Sequence, residues 1–170
     1  IVVAAPAGLT QQLISGALNL AIAPFRNQVT DLSYEPLCRE EPRLYCGRDH
    51  PLFTAPDALI NPQEIARYPH CQRSYDRLVS PGLGRPDPTA VVANMEAMAM
   101  LIESGHYLGA LPTHFAESWV EKGRFRELEG RELCWTSTFY LATRRTQVHR
   151  HAVELFIGDV CSVEGQSSGG

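Results

Sequence analysis

Long apolar runs and cysteine pairs are both missing from this 170-residue sequence. No apolar stretch approaches the roughly 20 residues that a membrane-spanning helix needs, and Ile1–Ala5 lacks the charged flank of a signal peptide. The five cysteines form no C-x-x-C pair, and their odd number fits neither a disulfide framework nor a zinc site. These absences predict a cytoplasmic protein with no membrane partner.

Positive charge and catalytic motifs are also scarce. Fifteen lysines and arginines stand against 19 acidic residues, so the formal net charge is −4 and the chain alone is not expected to bind DNA. The sequence has no G-x-S-x-G elbow, no H-E-x-x-H motif and no phosphate-binding loop. His149 and His151 are two positions apart and would point to different faces of a helix, which does not suit a metal pair. We therefore predict no enzyme, no cofactor and no metal site.

The sequence does contain a regular alternation of strand-like and helix-like segments. The predicted strands are Ile1–Ala5, Leu20–Ala23, an extended stretch over Leu32–Cys46, His70–Gln72, Ala90–Ala93, Leu108–Leu111 and Trp135–Thr143. The predicted helices are Gln11–Ser15, one that starts at Asn61 and Pro62, Met95–Ser104, one from Thr113 to before Gly123, and Gln147–Val160. Because parallel strands need crossover connections, the alternation predicts an α/β fold with parallel pairing.

One pattern occurs twice: a helix end, a glycine, a short apolar strand and a proline. It lies in "LISGALNLAIAP" (Leu13–Pro24) and in "MLIESGHYLGALP" (Met100–Pro112), on either side of the extended stretch. A glycine just past a helix can take the left-handed conformation that ends the last turn. The repeat predicts two lobes, which we divide into lobe I (1–40 and 133–163), lobe II (41–132) and a flexible tail (164–170). A single open sheet with a chance repeat is the alternative.

Three stretches of the sequence are similar to conserved motifs of one protein family. "LISGALNLAI" is similar to the family's L-x-x-G-x-L-D-x-A-I, with Asn19 in place of the usual aspartate. "YEPLCREEPRLYCGRDHPLF" is similar to its E-P-L … H-P-L crossing strand. "VVANMEAMAMLIESGHYLGALP" resembles its v-x-x-x-E-A-x-x-x-L-V-x-x-G-x-G-I-A-x-L-P stretch. The order and spacing of all three agree, so the sequence resembles the effector-binding domain of LysR-type transcriptional regulators over about residues 1–160.

The resemblance implies a two-lobed, periplasmic-binding-protein-like α/β domain that senses a small-molecule effector in an interlobe cleft. It implies that the family's first strand and helix and its winged helix-turn-helix precede Ile1, so that DNA is contacted only through that missing N-terminal domain. It also implies antiparallel pairing with a second copy, as a homodimer or homotetramer. The Met95–Ser104 helix would supply part of that interface, although a core face suits most of its side chains as well.

Polar residues at predicted helix starts are the first candidates for the effector site. In an open α/β sheet, ligands bind beyond the carboxyl ends of the strands, where helix N-termini attract anions. Thr10, Asn94 and Thr113 are predicted as caps at such starts, and Thr10 also matches a family position that often lines the effector pocket. The alternative, which applies to each of them, is that the cap satisfies only its own helix.

The stretch "HCQRSY", residues 70–75, supplies the second group of candidates, at the place where the resembling domains put pocket residues of their second lobe. Gln72 and Ser74 can donate and accept hydrogen bonds, and Arg73 offers a fork for a carboxylate or phosphate. A solvent-facing arginine on a loop is the alternative. Pro24 and Pro112 are predicted to form apolar lips of the site, and core packing explains them equally well.

Two other functions fit the same fold. A solute-binding protein of a transporter would carry a signal peptide upstream, and the unpatterned cysteines argue against it. A small enzyme would show turnover that depends on one cysteine or histidine. A helix-turn-helix encoded upstream would favour the regulator over both.

Overall fold

A computed structural model of the chain describes residues 1–25, 28–74, 88–128, 136–145 and 153–159. The chain divides into two compact units. Unit 1 consists of residues 1–39 and 137–170, and unit 2 of residues 40–136. Both units contain helices and strands, so the prediction of an α/β fold is confirmed.

The described residues up to 145 contain four helices and eight strands. They are α1 (Pro6–Ser15), β1 (Leu20–Ala23), β2 (Leu32–Glu40), β3 (Pro42–Gly47), α2 (Pro62–Ile65), β4 (His70–Arg73), β5 (Ala90–Val92), α3 (Met95–Glu103), β6 (Leu108–Pro112), α4 (Thr113–Glu121), β7 (Phe125–Glu127) and β8 (Ser137–Arg144). Two single 3₁₀ turns, Pro51–Phe53 and Asp57–Leu59, lie between β3 and α2. Residues 153–159 are also helical.

Unit 1 is a three-stranded sheet in the order β1-β8-β2, with α1 packed against it. β1 runs antiparallel to β8, with Leu20 opposite Thr143 and Ala23 opposite Tyr140. Leu9 and Leu13 are the buried residues of α1, and their spacing of four places both on one helix face. This face and the alternating buried residues of β1 form one core.

Unit 2 is a five-stranded sheet in the order β5-β4-β6-β3-β7. β4 is parallel to both β5 and β6, whereas β3 is antiparallel to β6 and β7. Successive residues of β3 enter two different core clusters: Leu44 and Cys46 belong to one, and Tyr45 to the other. Because side chains alternate along a strand, these two clusters lie on opposite faces of the sheet, and both faces are covered.

Left-handed glycines follow α1 and α3, the two helices of the repeated pattern, as that pattern predicts. Gly16 follows α1 with φ of 79°, and its N–H donates to the Leu13 carbonyl at 3.1 Å. Gly105 lies just beyond α3 with φ of 73°, and its N–H donates to the Ile102 carbonyl at 3.0 Å. The helix–glycine–strand reading of the sequence is therefore confirmed at both places.

Two predicted features of the N-terminal region are wrong. Residues 1–5 form no strand and are exposed, because none of the described strands pairs with them and strand propensity alone does not hold a strand. α1 begins at Pro6 and not at Gln11, since proline suits the first turn of a helix. Thr10 therefore lies inside α1 and caps nothing, and its hydroxyl donates to the Pro6 carbonyl at 2.9 Å.

The remaining helix starts divide into two confirmed caps and one error. The Asn61 side chain accepts from the Glu64 N–H at 3.0 Å, and the Asn94 side chain accepts from the Ala97 N–H at 2.9 Å. Thr113 is the first residue of α4, not its cap. The capping position belongs to Pro112, which has no side-chain oxygen to offer the first-turn N–H groups.

The prediction of parallel pairing is only partly right. It holds for β4 with β5 and with β6. A long connection separates β4 from β5 along the chain, and α3 separates β5 from β6. The prediction is wrong for β1 with β8 and for β3 with β6 and β7, because these strands are distant in sequence and no single crossover helix constrains their direction. Trp135, residues 147–152, Val160 and the predicted tail 164–170 lie outside the described residues.

A first prediction concerns Gly105, compared with Gly123, which shares its left-handed backbone at φ of 64°. A Cβ at Gly105 would lie 2.8 Å from the Asp49 Cβ and 3.0 Å from the Asp49 carbonyl carbon, whereas a Cβ at Gly123 would meet nothing within 4 Å. Both alanine variants lose about 1 kcal/mol from the left-handed conformation. We expect Gly105→Ala to lose about 1–3 kcal/mol more in urea unfolding, because it also forces a clash. Equal losses in the two variants would contradict this packing.

A second prediction concerns Cys46 and Cys71, the buried cysteines among the described residues of unit 2. Burial raises the pKa of each thiol to about 12, although the nearby Arg126 lowers that of Cys46 in part. Both thiols therefore stay protonated and unreactive at pH 8. We expect iodoacetamide to label them in the native protein only at the rate of unfolding, while the half-buried Cys38 reacts earlier, as read by peptide mass mapping. Labelling of Cys71 as fast as in urea-unfolded protein would refute this.

Candidate functional site

The candidate site of unit 2 lies where three parallel strands end. Within the sheet, Arg73 at the end of β4 pairs with Val92 at the end of β5, and Cys71 of β4 pairs with Gly109 of β6. α3 begins three residues after Val92, and α4 begins directly where β6 ends. Neighbouring strands are about 4.8 Å apart, so these three strand ends and two helix starts share one edge of the sheet. The carboxyl ends of parallel strands are where α/β sheets usually bind ligands.

Arg73 is the most informative residue at this edge, because only 5% of its surface is exposed. It lies two residues after Cys71 and therefore on the same face of β4, the face that packs against Met98 and Ile102 of α3. The alternative of a solvent-facing loop arginine is wrong. A guanidinium keeps its charge at any pH at which the protein folds, so this edge carries a permanent, largely desolvated positive charge.

The two polar neighbours of Arg73 do not share its position. Gln72 is half-buried and points to the opposite face of the sheet, since successive residues of a strand alternate. Ser74 is exposed, and its N–H donates to the Val92 carbonyl at 2.8 Å, which extends the pairing of β4 with β5 by one bond. Of the three residues grouped by sequence, only Arg73 and Ser74 are brought to the same edge as the start of α3.

The start of α3 adds a second positive feature to this edge. Asn94 is exposed and satisfies the Ala97 N–H, while the other first-turn N–H groups have no partner within the helix. These groups carry the partial positive charge of the helix N-terminus. Glu96 lies in the same first turn and is exposed, so its carboxylate offsets part of that charge.

The start of α4 combines an apolar residue with an exposed polar one. Pro112 is buried and pairs with Pro42 of β3, which supports core packing for this residue. Thr113 is exposed. Next to it, the His114 Nε2 lies 3.9 Å from a carboxylate oxygen of Glu40, a pair that sequence reasoning missed because the two residues are far apart in the chain.

The two candidates in unit 1 have local roles. Thr10 is half-buried inside α1 with its hydroxyl bonded to the preceding turn. Pro24 is half-buried directly after β1 and precedes the buried Phe25, whose ring contacts Tyr34 edge-on at 5.5 Å between centroids. Neither residue belongs to the edge that carries Arg73.

Unit 1 also holds an apolar cavity of about 500 Å³ that sequence reasoning did not anticipate. Its walls come from α1, from β1 with the residues before it, from the first two residues and from the helical segment 153–159. The side chains that line this cavity are apolar except for Asn19. Such a lining does not suit a charged ligand.

In the part of the chain that the structure describes, no three side chains of the types His, Cys, Asp and Glu are grouped so as to hold a metal ion. None of the described helices is both long and apolar enough to span a membrane.

Comparison with solved structures gives the fold. The effector-binding domain of QuiR in complex with shikimate superposes with a TM-score of 0.79 at 19% identity, over 95% of this chain and 79% of that one. The cofactor-binding domain of the Cbl transcriptional regulator gives 0.73 at 20% identity, over 92% and 71%. The regulatory domain of HypT from Salmonella typhimurium gives 0.71 at 16% identity, over 95% and 79%. The predicted two-lobed, periplasmic-binding-protein-like fold class is therefore confirmed.

Comparison with sequences gives the family. The HTH-type transcriptional activator BauR of Pseudomonas aeruginosa is 30% identical over 148 residues, which cover 85% of this chain and 48% of that protein. The chain thus spans about half the length of this curated relative. The sequence profile of the LysR substrate-binding domain matches residues 1–160. The resemblance carried by the three sequence stretches is confirmed, and the chain belongs to the LysR substrate-binding domain family.

Proposed function

We propose that this chain is the effector-binding domain of a LysR-type transcriptional regulator and that it senses a small anionic molecule. Arg73 carries the proposal: a charged group that is 5% exposed lies at the carboxyl end of a parallel strand, in a domain whose family binds small molecules. The relative BauR, a transcriptional activator, supports the regulatory role. Control of transcription would pass through a winged helix-turn-helix outside residues 1–170.

The anionic character of the ligand follows from the charges at this edge. The guanidinium of Arg73 presents paired N–H donors that match a carboxylate, and the first turn of α3 adds backbone N–H donors and a partial positive charge. Hydrogen bonds between such charged partners are each worth about 1.5–3 kcal/mol. The bound shikimate of the QuiR domain is itself a small carboxylate, which supports this ligand class.

Sensing needs no bond-making chemistry. A ligand that binds one conformation of the domain better than another shifts the population towards it, by as much as the difference in binding free energy. Such a coupling typically amounts to about 1–3 kcal/mol between two sites. We therefore propose a non-enzymatic role, in preference to the small enzyme and to the transport-type solute-binding protein.

The partners and location belong to the same proposal. We expect a cytoplasmic homodimer or homotetramer in which DNA contacts only the N-terminal domain. Within α3, Met98 is buried in the core, whereas Met100 is 70% exposed. One apolar side chain of this helix is thus available for an interface, and the rest of its apolar face is used by the core.

The third prediction tests Arg73 by ligand-dependent stability. Shikimate and a panel of other small carboxylates are screened by thermal shift against the wild type, Arg73→Gln and Arg73→Lys. An acid at 100 times its Kd stabilises the wild type by about 2.7 kcal/mol. We expect Arg73→Gln to lose most of this gain and Arg73→Lys to keep part of it, because lysine keeps the charge but not the fork.

Arg67→Gln serves as the matched control. Arg67 is an exposed arginine that pairs with Glu64 and lies before the start of β4, whereas Arg73 lies at its carboxyl end. It should retain the full ligand-induced shift. Circular dichroism of each variant without ligand separates loss of fold from loss of binding. Equal stabilisation of the wild type and folded Arg73→Gln by the same acid would remove Arg73 from the site.

The fourth prediction tests the proposed role of α3 in assembly. Met100→Lys places a charge on an exposed apolar position and leaves the core residue Met98 untouched. We expect sedimentation velocity to show a dimer for the wild type and a larger monomer fraction for Met100→Lys. Val91→Lys, at another exposed apolar position, should leave the dimer intact. A dimer that Met100→Lys leaves unchanged would exclude this face of α3 from the interface.

A further inference from the structure

His50 is a buried histidine that the proposed function does not use. Only 3% of its surface is exposed, and it lies just before the 3₁₀ turn Pro51–Phe53. Its Nδ1 accepts a hydrogen bond from the Leu52 N–H at 3.1 Å, and its own carbonyl accepts one from the Phe53 N–H at 2.9 Å. His50 therefore closes this turn with both its ring and its backbone.

The hydrogen bond to Leu52 determines where the ring can carry its proton. An amide N–H donates only to an unprotonated ring nitrogen, so Nδ1 has a lone pair and the proton of the neutral ring is on Nε2. Nε2 is buried and has no hydrogen-bond partner among the described residues. A second proton would have to go to Nδ1, where it would face the Leu52 N–H and turn an acceptor into a donor.

The groups around the ring do not help it to hold a charge. The centroid of the Tyr68 ring lies 4.7 Å from that of the His50 ring. The Tyr68 hydroxyl donates to Glu64 at 3.1 Å and is therefore engaged away from His50. His70 of β4 and His106 after α3 face it as well, and a charge on either one repels a charge on His50.

The same segment is also held by Arg126 of β7, from its first residues to its last. Its Nη1 donates to the carbonyls of Leu52 at 2.8 Å, Phe53 at 2.9 Å and Ala55 at 2.6 Å, and its Nη2 pairs with Asp57. This cation adds a further positive charge beside the turn that His50 closes. Residues 52–57 are thus held along their length by a fixed charge, and the turn at their start is also held by a titratable ring.

We propose that His50 is an acid-sensitive latch: protonation of its Nδ1 breaks the bond to Leu52 and opens the turn Pro51–Phe53 at its N–H groups, while the contacts of Arg126 and the rest of unit 2 stay in place. The direction of the effect follows from burial. Desolvation, and then His70 and His106, lower the pKa of His50 below the usual 6.5. Well above pH 6.5 the ring is neutral in both the closed and the open turn, so the latch is fully effective there. Below pH 6.5 the open form binds a proton that the closed form does not, and closure weakens.

Amide hydrogen exchange of the full chain by NMR between pH 5 and 7.5 tests the proposal. After correction for intrinsic exchange, the opening equilibrium of the Leu52 and Phe53 amides should rise by up to tenfold for each pH unit below 6.5. The Leu44 amide in β3 should not change. In His50→Asn, the side-chain oxygen can still accept from Leu52 but cannot titrate, so the opening equilibrium should be independent of pH.

His114→Asn, which removes an exposed histidine, is the matched control and should behave as the wild type. Wild-type protection that stays constant down to pH 5, or the same loss in His50→Asn, would overturn the latch. Nitrogen-15 spectra of the wild-type imidazoles give a reading that does not depend on any variant. A proton on Nδ1 of His50 at pH 7 would refute the proposal, and a proton on Nε2 alone supports it.

Discussion

Unit 2 depends on the burial of β4 on both faces of its sheet. Because β4 lies between β5 and β6 and side chains alternate, Cys71 and Arg73 face α3, while His70 and Gln72 face the other side. One short strand thus carries the arginine of the candidate effector site on one face and a histidine near His50 on the other. A shift of register by one residue would exchange these two sets, which makes the pairing of β4 a requirement for both sites.

Close packing of α3 against the sheet holds the candidate site in place. A Cβ at Gly47 would lie 2.1 Å from the Ile102 carbonyl oxygen, and a Cβ at Gly109 would lie 2.8 Å from both the Cys71 sulfur and the Ile102 side chain. The helix backbone can come this near only because these positions carry no side chain. The position of α3 is therefore determined by β3 and β6, and its first turn is brought to the end of β4 as a consequence.

Local signals in the sequence predicted much of this arrangement, and pairing between distant segments accounts for most of the errors. The Asn94 cap is predictable because Asn94 and the Ala97 N–H that it binds lie within four residues, and Gly105 is predictable because its own bond to Ile102 is equally local. The burial of Arg73 was not predictable, since it depends on β5 and β6 as neighbours of β4. Thr10 was misplaced because Pro6 can begin a helix four residues earlier, and the hydroxyl of a threonine inside a helix has a ready partner in the preceding turn. The approach of His114 to Glu40 and the contacts of Arg126 with residues 52–57 join parts of the chain that no local pattern relates.

The basic side chains of unit 2 fall into two kinds. Arg73 and Arg126 cannot lose their protons, so their charges are constant. Arg126 uses its charge to hold three carbonyl oxygens, and we propose that Arg73 uses its charge to hold a ligand. The His50 ring is neutral in its buried position, and its protonation would break the hydrogen bond to Leu52. Only the histidine can convert a change in proton concentration into a change in structure, and it does so on the face of β4 opposite Arg73. The proposed ligand contact and the proposed latch therefore lie on different faces of one strand.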